Sequence, residues 1–290
     1  MKKIILFFIV NCSLTLFCQE RPNLDYLASK YALSSFEGFK KLLSIPNDAN
    51  NKIGIEKNIR WTEDEFGKRG FEISKIMTKG VPLLLAKRDF NSKGKTVLIY
   101  LQMDGQPVDA SKWNQEDPYI PVLKKINSSG NWETLEWKEI YDYNDDWRIF
   151  ARSASDAKGP VSMFLAAIDA IDENGFAPNF NIKVILDFEE EMGSPNLPDA
   201  VKKNGESLNS DVLIILDGPR HRLNKPTLTF GARGIATIQL TTYGPIVPQH
   251  SGHFGNYVPN PALRLSKILA SMKDENGKVT IEGYYDGIEI

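Results

Sequence analysis

The segment Val184-Ile185-Leu186-Asp187-Phe188-Glu189-Glu190-Glu191-Met192-Gly193-Ser194 runs an apolar strand straight into three consecutive glutamates and a glycine turn. Adjacent acids at the mouth of a buried strand repel one another and resist desolvation, so they are either solvated together or neutralised by a cation and a proton. Other segments end in the same way: Asp104-Gly105 follows Val97–Leu101, Asp217-Gly218 follows Val212–Leu216, and Asp156 precedes Lys158-Gly159 at the start of a helical pattern. Acids gathered from strand ends and a helix start at one sheet edge describe a site for divalent cations. Neighbouring glutamates can divide the labour of metal-assisted hydrolysis, one ligating an ion while the other takes a proton from water as general base. Glu191 and Glu190 suit those two roles, which leaves Glu189 to solvent. A short carboxylate on a rigid turn is the best shared ligand for two ions about 3.5–4 Å apart. Asp156 is the candidate, a helix-capping acid being its plainer reading. Asp217 either completes one ion's shell or is an ordinary loop acid, and Lys158 reads as a surface residue.

Composition narrows the chemistry further. The 290 residues are 42% hydrophobic and 25% charged, enough for a core in one large or two modest domains, and a net charge of -2 gives no sign of nucleic-acid binding. Lys2 and Lys3 followed by the apolar run Ile4–Phe17 read as a secretory signal over 1–18, too short to span a membrane. The expected location is therefore periplasmic or extracellular. Bulky Phe17 ahead of Cys18 argues against a lipid anchor at Cys18, which is kept as the alternative. Both cysteines, Cys12 and Cys18, fall at this end, so the mature chain excludes internal disulfides, a cysteine zinc cluster and a cysteine nucleophile. With His221, His250 and His253 the only imidazoles, a metal site here must be built mainly from oxygens.

The elements that must position these acids follow from periodicity. Leu24–Leu43 has helical spacing stopped by Ile45-Pro46, and Ile55–Lys68 is a weaker second helix. Phe71–Ile76, Val81–Ala86 and Thr96–Leu101 read as strands, and the helix after Gly159 is clear. Ile182–Leu186, Val212–Leu216 and Thr227–Phe230 supply further strands alternating with helices near 160–174 and 197–206. This alternation predicts an α/β domain with a mostly parallel sheet covered by helices on both faces. The polar stretch 109–147 holds four of the five tryptophans and predicts an ordered loop with a hairpin. Packing beneath that loop is the preferred use of Trp113, Trp132, Trp137 and Trp147. Beyond Arg233 the pattern changes, with an alternating strand over Gly234–Thr242 and an amphipathic helix over Pro259–Met272. The domain boundary is expected near 231–233.

Taken in order, Met103-Asp104-Gly105, Ser155-Asp156-Ala157-Lys158-Gly159, Glu190-Glu191-Met192-Gly193-Ser194, Leu216-Asp217-Gly218, Ala232-Arg233-Gly234 and His250-Ser251-Gly252-His253-Phe254-Gly255 resemble a family. It is the dinuclear zinc hydrolases that include aminoacylase, acetylornithine deacetylase, succinyl-diaminopimelate desuccinylase, carboxypeptidase G and carnosinase. The resemblance implies an aminopeptidase-like catalytic domain over 19–231 and part of a ferredoxin-like α/β lid and dimerisation domain over 232–290. It implies Zn2+, with Co2+ or Mn2+ as substitutes: Asp156 bridges two ions, Glu191 holds one and Asp217 the other. Glu190 becomes the general base, Asp104 orients a neighbouring ligand, and His250 reaches a partner subunit's site to stabilise the oxyanion. Arg233 marks the entry to the lid and borders the substrate. A cis peptide is implied at Asp156-Ala157. The implied substrate is a small peptide or an N-acyl amino acid, and the implied assembly a homodimer through the lid.

Two departures qualify this. Gln102 stands where the family has a ligand histidine, and an amide oxygen is a poorer zinc ligand than an imidazole nitrogen. The chain also stops at Ile290, within the expected lid, so the family's histidine for the other ion has no counterpart and the sheet should keep an exposed edge. The expectation is a truncated hydrolase, weakly active or inactive, with a non-catalytic binding or dimerising protein as the alternative.

Overall fold

Asn23 starts α1 (Leu24–Leu43) by accepting the Tyr26 N–H on its side chain, and Asn51 starts α2 (Lys52–Lys68) through the Gly54 N–H. Each cap satisfies one of the amides that a helix start leaves bare. The computed structural model describes residues 23–288 apart from 92, 143, 219, 220, 222 and 224, so the signal expected over 1–18, with Cys18, lies outside the described residues. After α2 the chain continues through β1 (Glu72–Ile76), β2 (Leu83–Arg88), β3 (Lys95–Gln102), β4 (Val122–Ile126), β5 (Trp132–Leu135), β6 (Arg148–Phe150) and α3 (Lys158–Glu173). Then come β7 (Phe180–Asp187), α4 (Leu197–Lys203), α5 (Gly205–Leu208), β8 (Val212–Ile215), α6 (Ser251–Phe254) and α7 (Pro261–Ser271).

The main sheet has the order β1-β2-β7-β3-β8. Strands β7, β3 and β8 are parallel, β2 runs against β7, and β1 against β2, so all but β2 share one direction. This is the mostly parallel α/β sheet that the alternation predicts. Side-chain alternation sends Leu84, Ala86, Ile99, Leu101, Val184 and Leu186 to one face, where they meet Ile55, Ile59 and Phe66 of α2 and Val161, Phe164, Leu165 and Ile168 of α3. Leu83, Leu85, Leu98 and Ile185 point the other way, against Ala200 of α4 and Leu208 of α5. Two covered faces explain why β7 reads as a continuous apolar run. Phe66, Phe71 and Phe164 form an aromatic knot with centroids 5.3 to 6.0 Å apart.

β8 lies at the sheet's edge, and Val212, Leu213, Ile214 and Ile215 remain 47%, 57%, 41% and 56% exposed. The 109–147 stretch folds as the β4–β5 hairpin, turned by Gly130 at φ 78, with β6 added as a third strand. Trp132 stacks edge-on against Phe150, Trp113 lies beside Arg152, and Trp137 donates to Glu37.

The chain divides at 219/220 into two compact units. The second is seen as α6, α7 and a Lys273–Val279 bridge. The strands expected over 227–230 and 234–242 are not formed: these residues are almost all exposed and have no ladder opposite them among the described residues. Alternation alone cannot hold a strand without a neighbour to accept its hydrogen bonds.

Candidate active site

Parallel pairing carries the acids to one edge. Gln102 of β3 is level with Asp187 of β7, and Tyr100 with Ile215 of β8, so the turns bearing Asp104, Glu189–Glu191 and Asp217 leave the sheet on the same side. Asp156 stands just before α3, and Ala157, not Asp156, is the helix's N-cap residue. The Asp156–Ala157 peptide is cis. Partial burial raises the proton affinity of Asp156, and the charges of Glu191 and Asp217 add to it. Glu190 is raised for the same first reason, then by Glu191, Asp217, Asp156 and Asp187. Asp156 and Glu190 thus each sit in the field of Glu191 and Asp217.

The glutamate loop is held by groups that the sequence does not single out. Asp187 is buried, and its carboxylate accepts from the Glu189 N–H at 2.9 Å, Tyr100 Oη at 3.0 Å and Ser194 Oγ at 2.7 Å. It thereby ties the two ends of the loop together. Burial, then the Asp187 charge, pushes the Tyr100 hydroxyl up, so it stays a donor. Asp104 is 1% exposed; its Oδ2 accepts the Glu191 N–H at 3.0 Å, while its Oδ1 has no partner among the described residues. Burial pushes Asp104 up to about 7, against the pull of the Glu191 and Glu190 amides. Glu189, half-buried, also accepts from Asn196 Nδ2 at 2.8 Å.

A second set of contacts lies beneath. Asn47, in the connection between α1 and α2, is fully buried and donates to Met103 O at 2.9 Å and Ser153 Oγ at 3.0 Å, while its own carbonyl accepts Gly105 N–H at 2.9 Å. Only glycine fits at 105, because a Cβ there would overlap Ser153 Oγ. Lys158 is not the surface residue expected: it is 0% exposed and donates to Leu42 O at 2.9 Å and Ile45 O at 2.6 Å. The negative end of α1 receives its charge. Burial pulls it down to about 7. Its apolar stem fills the space under the turn, and nothing in the Asp-Ala-Lys-Gly string distinguishes that from exposure.

The described residues do not complete a dinuclear metal centre. No group of three His, Cys, Asp or Glu among them is arranged to hold an ion. With Asp156 shared, Glu191 and Asp217 leave each ion only two carboxylates, and Gln102, buried at this edge, adds no imidazole. The charge suits a cation but the coordination falls short. His250 and Arg233 are exposed in the second unit, where His250 Nδ1 caps α6 by accepting the Gly252 N–H at 3.1 Å.

Residues 98–283, more than half the chain, match the model of peptidase family M20/M25/M40. The chain is similar to the Cys-Gly metallodipeptidase dug1 of Schizosaccharomyces pombe, 30% identical over 71% of this chain and 40% of the relative. It is similar to the human Beta-Ala-His dipeptidase, 29% identical over 71% and 37%. Among solved structures, the M20 family metallo-carboxypeptidase Sso-CP2 of Sulfolobus solfataricus superposes with a TM-score of 0.64 at 29% identity, covering 88% of this chain and 53% of that one. Human carnosine dipeptidase 1 shares the fold, with a TM-score of 0.62 at 22% identity over 91% and 55%. The chain thus spans half or less of the length of these curated relatives.

Proposed function

This chain belongs to peptidase family M20/M25/M40, and from that premise we propose that it serves hydrolysis of the amide bond in dipeptides or N-acyl amino acids. The observation that supports the reading is the convergence of Asp156, Glu190, Glu191 and Asp217 at the carboxyl edge of β7, β3 and β8. Glu190 is the base. Its raised proton affinity suits it to take a proton from water and return it to the leaving amine. Asp104 holds the loop through the Glu191 amide. The family's metal dependence carries over as part of the proposal, with Asp156, Glu191 and Asp217 as this chain's own donors and further donors needed beyond them. His250 and Arg233 serve the substrate and the oxyanion across a homodimer built through residues 232–290. Export through residues 1–18 completes the reading, and mass spectrometry of the mature N-terminus tests it: a lipid on Cys18 would indicate a membrane anchor, and an unmodified Gln19 start a released protein.

The absence of a three-ligand group among the described residues favours a second reading, a binding or dimerising protein without turnover. Hydrolysis of Cys-Gly and β-Ala-His in the presence of Zn2+ or Mn2+, together with equilibrium dialysis, separates the two. Turnover that stops with chelator and falls about 10²–10⁴-fold in Glu190→Gln is expected for the hydrolase. Activity that survives Glu190→Gln undiminished removes Glu190 as base, and absent turnover with no bound ions favours the binder.

A further inference from the structure

The turn that follows β3 grips Glu191 twice. Asp104 Oδ2 takes its backbone N–H at 3.0 Å, and two residues on Gln106 Nε2 donates to its carboxylate Oε2 at 2.7 Å, with a longer approach of 3.4 Å to its carbonyl. A neutral amide donating to a carboxylate at this distance makes a charge-assisted bond, and it fixes which carboxylate oxygen is engaged and which stays open. Asp156 and Asp217 accept no hydrogen bond from any described residue. Among the described residues only the Arg152 charge acts on Asp156 from the basic side and no side chain bonds Asp217, whereas Glu191 is held at both its amide and its carboxylate by one short turn.

The geometry points to Gln106 as a positioning residue: with Asp104 it fixes the direction of the Glu191 carboxylate by protein hydrogen bonds alone, before any ligand arrives. Gln106 is exposed, so its bond adds little to folding and is best explained by what it does to Glu191. The contact itself does not depend on the hydrolase reading, on which only the kinetic consequence rests.

Gln106→Leu keeps the volume and removes the donor. With glutamate side chains isotopically labelled for NMR in the full chain, freed of divalent ions by chelator, the Glu191 methylenes are expected to be ordered in the wild type and mobile in the variant. The thermal midpoint should be unchanged, which a merely structural role would not allow. On a dipeptide substrate kcat should fall about tenfold or more at constant KM, as a misplaced group in the reacting constellation does. An ordered Glu191 side chain in Gln106→Leu overturns the inference, as does wild-type order that disappears with chelator. A wild type without turnover overturns the hydrolase reading and leaves the labelled side chain to decide this one.

Discussion

β7 and β8 are both short apolar strands that point the same way and lead into acids, yet they end in different worlds. β7 is buried on both faces, and the carboxylate at its end accepts three hydrogen bonds. β8 is about half exposed along its length, and Asp217 beyond it accepts none from the described residues. The difference teaches that a strand's neighbours, not its own residues, decide how firmly it presents the acid at its end. Val-Ile-Leu and Val-Leu-Ile-Ile are interchangeable as sequence; what separates them is a strand on each side and a helix on each face.

The sharpest way to break this comparison is to truncate matching residues. Leu186→Ala in β7 should cost about 2–5 kcal/mol in urea unfolding, through lost burial and the cavity left behind. Ile214→Ala in β8 should cost under about 1 kcal/mol, and equal losses would mean that β8 is covered in solution. Asn47→Ala strips donors from buried Met103 O and Ser153 Oγ and should cost about 1–3 kcal/mol. It should also lower dipeptide hydrolysis, since the Asp104 and Asp156 turns lose their common tie. Asp187→Asn should cost on the order of 1 kcal/mol, whereas Asp217→Asn should leave the unfolding midpoint in place.

The smallest effect lies behind the covered face, where Arg69 binds Asp169 at 2.6 Å and Glu65 at 2.8 Å. Burial by itself raises the Glu65 carboxyl, but its bonds to Arg69 and Lys68 prevail and hold it below its usual 4.5. A depressed acid contributes stability above its unfolded value and loses it as pH falls through its folded one. Acidification below about pH 4.5 should therefore remove under about 1 kcal/mol that Glu65→Gln no longer shows, the pair being partly solvated.

How much of this was legible follows from which interactions are local. Hydrophobic period and glycine punctuation sufficed for α1 to α3, the sheet strands and the 109–147 hairpin, because each of those signals acts within a few residues. The string Leu186-Asp187-Phe188-Glu189-Glu190-Glu191 announced a loop of unusual charge, and the ordered motifs tied it to the right family. Asp187 escaped notice inside that string, since an acid ending a strand looks the same whether it faces water or accepts from Tyr100 and Ser194. Lys158 and Asn47 escaped for a similar reason: their partners lie 116 and 56 positions away. The alternation over 234–242 misled in the opposite sense, offering a strand pattern with no described strand to pair with.

The buried connection at Leu42–Asn47 has one more consequence. Two helices at the start of the chain act as a clasp under turns that lie far downstream, so a protease nick between α1 and α2 should disarm the carboxylates while leaving every one of them covalently intact.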